Sequence, residues 1–260
     1  MSNFIRSYYK TLIFFGAVGL VGGFFLGLYA LDSYPEAIIN ELKSEIVAAG
    51  LGDFPLDILL AVTTALQSAM YGILLGGIGI CLAKHIGLWR DERYIEAKPL
   101  IAAISVSVLG GLFMILSDIL YLAKESEAIA ASYATKPTIV YMLASVTYGA
   151  VIEEVMLRLF TMSLIAFILY KILGKEMDKP SLGMLIAANI ISAMLFGIGH
   201  IPATLIMLGD SPILIVRCIL LNGLISLGFG WLYRKFGLRY AMIAHGGCHV
   251  VSKLIWILFI

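Results

Sequence analysis

Glutamate, arginine and histidine clusters interrupt the apolar stretches of this 260-residue chain, and their spacing sets out the chemistry it could carry. The first is Glu153-Glu154-Val155-Met156-Leu157-Arg158, with apolar residues on both sides. At about 100° per residue of helix, Glu154 and Arg158 share a face, whereas Glu153 lies about 140° around from Arg158. Glu154 is therefore expected to pair with Arg158 and stay ionised. Glu153 is left without a local cation. A carboxylate so placed in a low-dielectric site holds a proton more tightly and can take one from a bound water near neutral pH, as a general base must. The bland alternative has both glutamates paired with Arg158 and a cation of another helix, such as Arg217 or Lys253.

The second cluster is Phe196-Gly197-Ile198-Gly199-His200, where small residues let a neighbouring helix or a substrate backbone approach the imidazole. The third, His245-Gly246-Gly247-Cys248-His249, places two imidazoles four apart on one face. Of the 4 histidines, only His85 lies in a charged loop. Imidazole can coordinate a metal through one ring nitrogen or donate hydrogen bonds to an anionic intermediate. His200, His245 and His249 with a glutamate could therefore run hydrolysis in either way, with a divalent ion such as zinc or with none. The zinc-helix pattern HExxH is absent. Asp118 reads as a bundle-facing polar residue, and Arg217 and Lys253 as side chains that snorkel or pair with a carboxylate.

These clusters must be positioned by membrane helices. The chain is 61% hydrophobic and 13% charged, against about 45–50% and about 25% in an average soluble domain, and its mean hydropathy is +0.98. A net charge of +1 gives no basic excess to recruit nucleic acid. The 3 cysteines, Cys81, Cys218 and Cys248, have no CxxC spacing and read as small buried apolar side chains. A thiol such as Cys248 in apolar surroundings is expected to be inert.

Apolar runs long enough to cross about 30 Å of hydrocarbon occupy 11–31, 55–83, 99–123, 138–173, 181–200, 212–236 and 238–260. The first of these is too long for a signal peptide and is taken as a membrane helix. The expected fold is thus all-α, a polytopic transmembrane bundle of about seven spans, or eight if 138–173 is broken. As one α-helix that run would measure about 54 Å, and Gly149 is the expected break. Between the first two spans, a Ser33…Glu36 capping box and Gly50 bound an amphipathic helix near 35–49 that should lie in the interface.

Basic residues fall mainly on one set of connections: Arg6, Lys10; Lys84, Arg90, Arg93, Lys98; Lys171, Lys175, Lys179; and Arg234, Lys235, Arg239. The other set holds Lys43, Lys124 and Lys136. The bias predicts a cytoplasmic N-terminus and an external C-terminus. The polar 124–137 loop separates N-terminal transmembrane helices, 1–137, from a catalytic helical core, 138–260.

In their order along successive apolar segments, Glu-Glu-x-x-x-Arg, Phe-x-x-x-His and His-x-x-x-His resemble the motifs of the CAAX protease and bacteriocin-processing (CPBP) family of intramembrane endopeptidases, also called the type II CAAX endopeptidase or Abi family. The resemblance covers roughly 138–260. It implies that Glu153 activates the attacking water, that Glu154 and Arg158 orient it, that His200 joins Glu153 around the water, and that His245 with residue 249 stabilises the oxyanion. His249 stands where the family commonly has Asn, Leu157 where it often has Phe, and Leu159 where it often has Gly. The implied substrate is a membrane-associated peptide or protein, a prenylated CAAX tail or a bacteriocin or signal peptide, within a lipid bilayer. The lack of a eukaryotic targeting signal suggests a bacterial plasma membrane.

Two rival functions remain at this level. One is an ion- or proton-coupled transporter, whose buried Glu, Arg and His would form a relay; no repeat of the first half in the second favours it. The other is a non-catalytic immunity or interaction protein. Hydrolysis requires Glu153, His200, His245 and His249 to converge on one water-accessible cavity, yet straight rods would put His245 about 10 Å and His200 about 28 Å from the cytoplasmic end. The chain is therefore expected to bend or continue through Pro202 towards Leu208, or to begin its last helix deeper than Leu238. Separation of Glu153 from either imidazole by more than about 10 Å would remove the basis for hydrolysis.

Overall fold

The computed structural model describes residues 2–90, 94–174 and 176–260, with the backbone alone for 2–5. Arg93 and Lys175, counted above for orientation, lie outside the described residues. The helices are α1 (Ser2–Ser33), α2 (Glu36–Ala48), α3 (Leu56–His85), α4 (Ala97–Glu125), α5 (Glu127–Ser132), α6 (Ile139–Leu173), α7 (Leu182–Gly199), α8 (Ile201–Leu208), α9 (Pro212–Phe236) and α10 (Leu238–Phe259). There is no strand among the described residues. Among the described residues seven helical stretches are long and apolar enough to cross a membrane, α7 and α8 counting as one, Leu182–Leu208.

α1 and α3 form the closest pair, and the reason is a stripe of small residues. A Cβ on Gly19, Gly23 or Gly27 would lie 2.5 to 2.8 Å from the backbone of α3 at Leu60, Ala61, Thr64, Ala65, Ser68 and Ala69. Nothing larger than glycine lets the two backbones meet, which is how membrane helices gain van der Waals contact without a hydrophobic drive between them. α10 packs along α4 and α9 along α7, while α6 threads between α1, α3, α7, α9 and α10. The buried core around α6 includes Phe15, Ile80, Val155, Leu159, Phe229, Tyr233 and Ala244.

α6 does not break at Gly149. After an α-helical start over Ile139–Ala144 it widens into π-helix over Ser145–Glu153 and Val155–Met162, then returns to α-helix at Ser163. Side chains follow the i−5 register: Thr161 Oγ1 donates to the Met156 carbonyl at 2.8 Å and Ser163 Oγ to that of Arg158 at 3.4 Å. The wider coil puts more residues in each turn, so the long run spans as one continuous helix. π-Helix is rare and concentrates at functional sites.

Other expectations also change. The Ser33…Glu36 capping box does not form, because α1 runs through Ser33 and its hydroxyl donates back to the Tyr29 carbonyl at 2.8 Å. Pro35 instead precedes α2, which buries none of its residues and ends before Gly50, whose φ of 76° suits glycine. Cys81 is exposed on α3, whereas Cys218 and Cys248 are buried.

At the end of the bundle beyond α4, Asp118 accepts from Arg217 Nε at 2.7 Å and Nη2 at 2.5 Å, and from the Tyr133 hydroxyl at 2.7 Å. Arg217 thus pairs with a carboxylate. Burial, and then the neighbouring Asp118, push the Tyr133 phenol well above its usual range. This knot ties the loop after α5 to α4 and α9.

Candidate active site

Glu154 sits between the two π-helical segments of α6 and is fully buried. Its Oε2 lies 3.3 Å from Arg158 Nε, and its Oε1 lies 2.8 Å from His245 Nδ1. Arg158, 1% exposed, donates through Nη2 to the Ser226 carbonyl at 3.0 Å and hydroxyl at 2.5 Å. Its guanidinium stands over the Phe196 and Phe229 rings, 5.1 and 5.5 Å from their centroids. A delocalised cation between two aromatic faces gains cation–π attraction where water is absent. Glu154 and Arg158 thereby fix one imidazole and cross-link α6, α7, α9 and α10.

Glu153 turns the other way, as the spacing predicts. Its Oε1 lies 3.8 Å from His200 Nε2 and its Oε2 lies 3.8 Å from His245 Nε2, far inside the limit set above. These gaps are too long for direct hydrogen bonds and short enough for one water to bridge. Glu153 and His200 keep 17% and 34% of their side-chain surface exposed, whereas His245 is at 5%.

The other ring nitrogens settle the tautomers. His200 Nδ1 lies 2.8 Å from the Phe196 carbonyl, which can only accept, so Nδ1 carries the hydrogen. His245 Nδ1 likewise faces the Glu154 carboxylate. In the neutral rings both Nε2 atoms are then bare and aimed at Glu153. Phe229 stacks on His245 with centroids 4.6 Å apart and planes at 15°, and Phe196 packs edge-on against His200 at 4.6 Å. Each imidazole is held by an aromatic ring as well as by a hydrogen bond.

Of the alternatives expected to bring His200 to Glu153, continuation of helix through Pro202 is seen and a deeper start of the last helix is not. α10 begins at Leu238, and helix resumes through Pro202 in α8 with His200 at the junction. The His200 ring folds back by one turn onto the Phe196 carbonyl, towards the start of α7, as helical side chains do. Lateral ties supply the rest: Ser192 Oγ donates to the Leu157 carbonyl at 2.6 Å and Asn189 Nδ2 to that of Leu227 at 3.0 Å, setting the height of α7 against α6 and α9.

Two of the four residues, His245 and His249, line one small cavity. This cavity of about 20 Å³, enough for a water, is also lined by Phe196, Asn222, Phe229 and Cys248 among others, while Glu153 and His200 lie on the open side of His245. His249 stacks obliquely on His245, with centroids 5.1 Å apart. Gly149 lies opposite: a Cβ there would stand 3.4 Å from His249 Nε2 and 3.8 Å from His245 Nε2. The notch left by this glycine is thus faced by both ring nitrogens and could take an oxygen atom between them.

Ser226, Phe229 and Asn222, all on α9, escaped sequence reasoning, although a serine and an asparagine within an apolar run are visible there. Cys248 donates Sγ–H to the Val106 carbonyl at 3.5 Å, the arrangement of a packed thiol.

Residues 135–251 match the family model described as type II CAAX prenyl endopeptidase Rce1-like. That stretch is similar to the Rce1-like family. The match is consistent with the CPBP family and points to a membrane peptidase; it takes in all three clusters and stops short of Lys253. No curated protein and no solved structure matches the chain.

A metal-dependent variant of that chemistry would need His200, His245 and His249 as ligands. Tetrahedral zinc ligands at about 2.0–2.1 Å stand about 3.3 Å from one another, and among the described residues no group of three His, Cys, Asp or Glu is arranged to hold an ion. Lys253 Nζ lies 3.2 Å from His249 Nδ1 and occupies that ring nitrogen of the third imidazole. The residues as folded do not fit a three-imidazole metal centre.

Proposed function

We propose that this protein is an intramembrane endopeptidase whose Glu153 activates a water for direct attack on a peptide bond, within a catalytic core of 138–260 supported by the helices of 1–137. The observation that carries the reading is the Glu153 carboxylate 3.8 Å from two imidazole Nε2 atoms whose tautomers are fixed from behind. Glu153 and His200 Nε2 are acceptors facing one volume and call for a hydrogen donor between them, and water supplies two hydrogens.

In the step proposed, the water gives one proton to Glu153 while its oxygen bonds to the scissile carbonyl carbon, and the hydrogen that stays on that oxygen donates a hydrogen bond to His200 Nε2. The carbonyl oxygen becomes an oxyanion in the notch beside Gly149, where His245 and His249 donate to it. For this His245 acts as imidazolium, its charge balanced by Glu154. The C–N bond then breaks and Glu153 returns its proton to the departing amine. Glu154 and Arg158 position His245 and touch no reacting atom.

The substrate is a membrane-associated peptide or protein, a CAAX-type prenylated tail or a bacteriocin or signal peptide. The location is the cell membrane of a bacterium, with the N-terminus cytoplasmic. No step runs through a metal ion. Exhaustive chelation of the purified protein should therefore leave turnover of a cleaved peptide unchanged, while Glu153→Ala, His200→Ala and His245→Ala each abolish it. Loss of turnover on chelation, with recovery on adding Zn²⁺, would replace this mechanism with a metal-assisted one.

A further inference from the structure

α10 carries a third polar residue one turn beyond the two histidines, so that His245, His249 and Lys253 form a ladder at intervals of four along one face. Lys253 is 3% exposed. Among the described residues no carboxylate forms an ion pair with it. A lysine buried in a membrane helix without a counter-charge is costly and is retained where it has a task. Its two contacts indicate the task. Nζ lies 4.0 Å from the centroid of the Tyr141 ring, itself stacked on Tyr29 at 4.3 Å and 8°, and 3.2 Å from His249 Nδ1.

We infer that Lys253 is a positioning residue that sets the tautomer of His249. Held as an ammonium against the Tyr141 face, Lys253 has three donors and no acceptor, so His249 Nδ1 accepts from it and the ring hydrogen resides on Nε2. That is the nitrogen facing the notch beside Gly149. With Nδ1 protonated instead, His249 would present a bare nitrogen and repel an oxyanion. The Tyr29–Tyr141 stack holds the ammonium in place by cation–π attraction and supplies no acid that would draw it away. An asparagine amide at this position would donate without assistance; an imidazole needs a partner to choose its tautomer, and Lys253 is that partner. The tautomer rests on the 3.2 Å contact with Lys253 held as an ammonium by the Tyr141 face, while its catalytic consequence rests on the peptidase reading.

The test has one readout for each. In protein labelled with ¹⁵N-histidine and reconstituted in lipid, with His249 assigned through H249N, His249 should show Nε2 protonated and Nδ1 bare. Lys253→Met should turn this into a mixture of tautomers. A protonated Nδ1 in the wild type, or an unchanged spectrum in Lys253→Met, overturns the inference whether or not any peptide is cut. In turnover, Lys253→Met should lower kcat by up to about 10²-fold, the scale of losing one oxyanion donor, with KM little changed. The same substitution in the H249N background should have almost no effect. Equal losses in both backgrounds would mean that Lys253 serves only the fold and would contradict its positioning role.

Discussion

Glu153→Gln should reduce peptide cleavage by about 10³-fold or more, within the range that general-base catalysis contributes, while the protein stays folded. The amide keeps the shape of the side chain and its place 3.8 Å from His200 and His245. It cannot take a proton from water. Because Glu153 keeps part of its surface exposed and forms no direct hydrogen bond to either imidazole, the fold does not depend on its charge. Thermal unfolding in detergent should accordingly match the wild type. Residual activity within tenfold of wild type would mean that another group is the base.

Arg158→Leu should act in the opposite way, on stability first. The guanidinium is the only arginine or lysine group paired with Glu154 among the described residues, and it also satisfies the Ser226 carbonyl and hydroxyl. Its removal leaves a fully buried carboxylate against His245 alone. Breaking a buried ion pair from one side costs about 3–5 kcal/mol, enough to cut the yield of folded protein severely. The double substitution Glu154→Gln, Arg158→Leu removes the orphaned charge as well and should regain part of that loss, though not activity, since His245 then lacks its anionic partner. Unfolding measurements in mild detergent decide the point: a cost below about 1 kcal/mol for the single change would show that the pair does not hold the four helices together.

The division of labour between Glu153 and Glu154 was legible because it depends only on local angular spacing. It survives even though the segment is π-helical and not α-helical, since the Glu154–Arg158 pair still closes across one turn. The π-coil itself was not legible. A shift from i−4 to i−5 hydrogen bonding is settled by what packs on the helix, and the sequence offered only excess length and Gly149 as hints, which were read as a break. The depth conflict between His200 and His245, about 18 Å, arose from treating the spans as rods starting level; the His200 ring folding back by one turn recovers only about 5.4 Å of it, and the rest lies in the offsets between helices.

The roles of charged residues followed what they touch, which sequence does not state. Arg217 could snorkel or pair, and Asp118 decided the matter. Lys253 looked like one more snorkelling cation, although its interval of four from His249 was in view. The Gly19, Gly23, Gly27 stripe is likewise plain in the sequence, but its partner surface on α3 emerges only when the helices are paired.

The central claim is direct attack by a Glu153-bound water, and cleavage in H₂¹⁸O with a nucleophilic trap tests it most directly. Wild-type protein reconstituted in lipid vesicles would be given a library of membrane-anchored peptides, prenylated CAAX tails included, with hydroxylamine present, and the fragments read by mass spectrometry. The account predicts fragments whose new C-terminal carboxyl carries one ¹⁸O, no hydroxamate, and no fragments from Glu153→Gln. Hydroxamate-ended fragments would reveal a covalent acyl intermediate, and equal cleavage by Glu153→Gln would reveal a different base; either result contradicts the account.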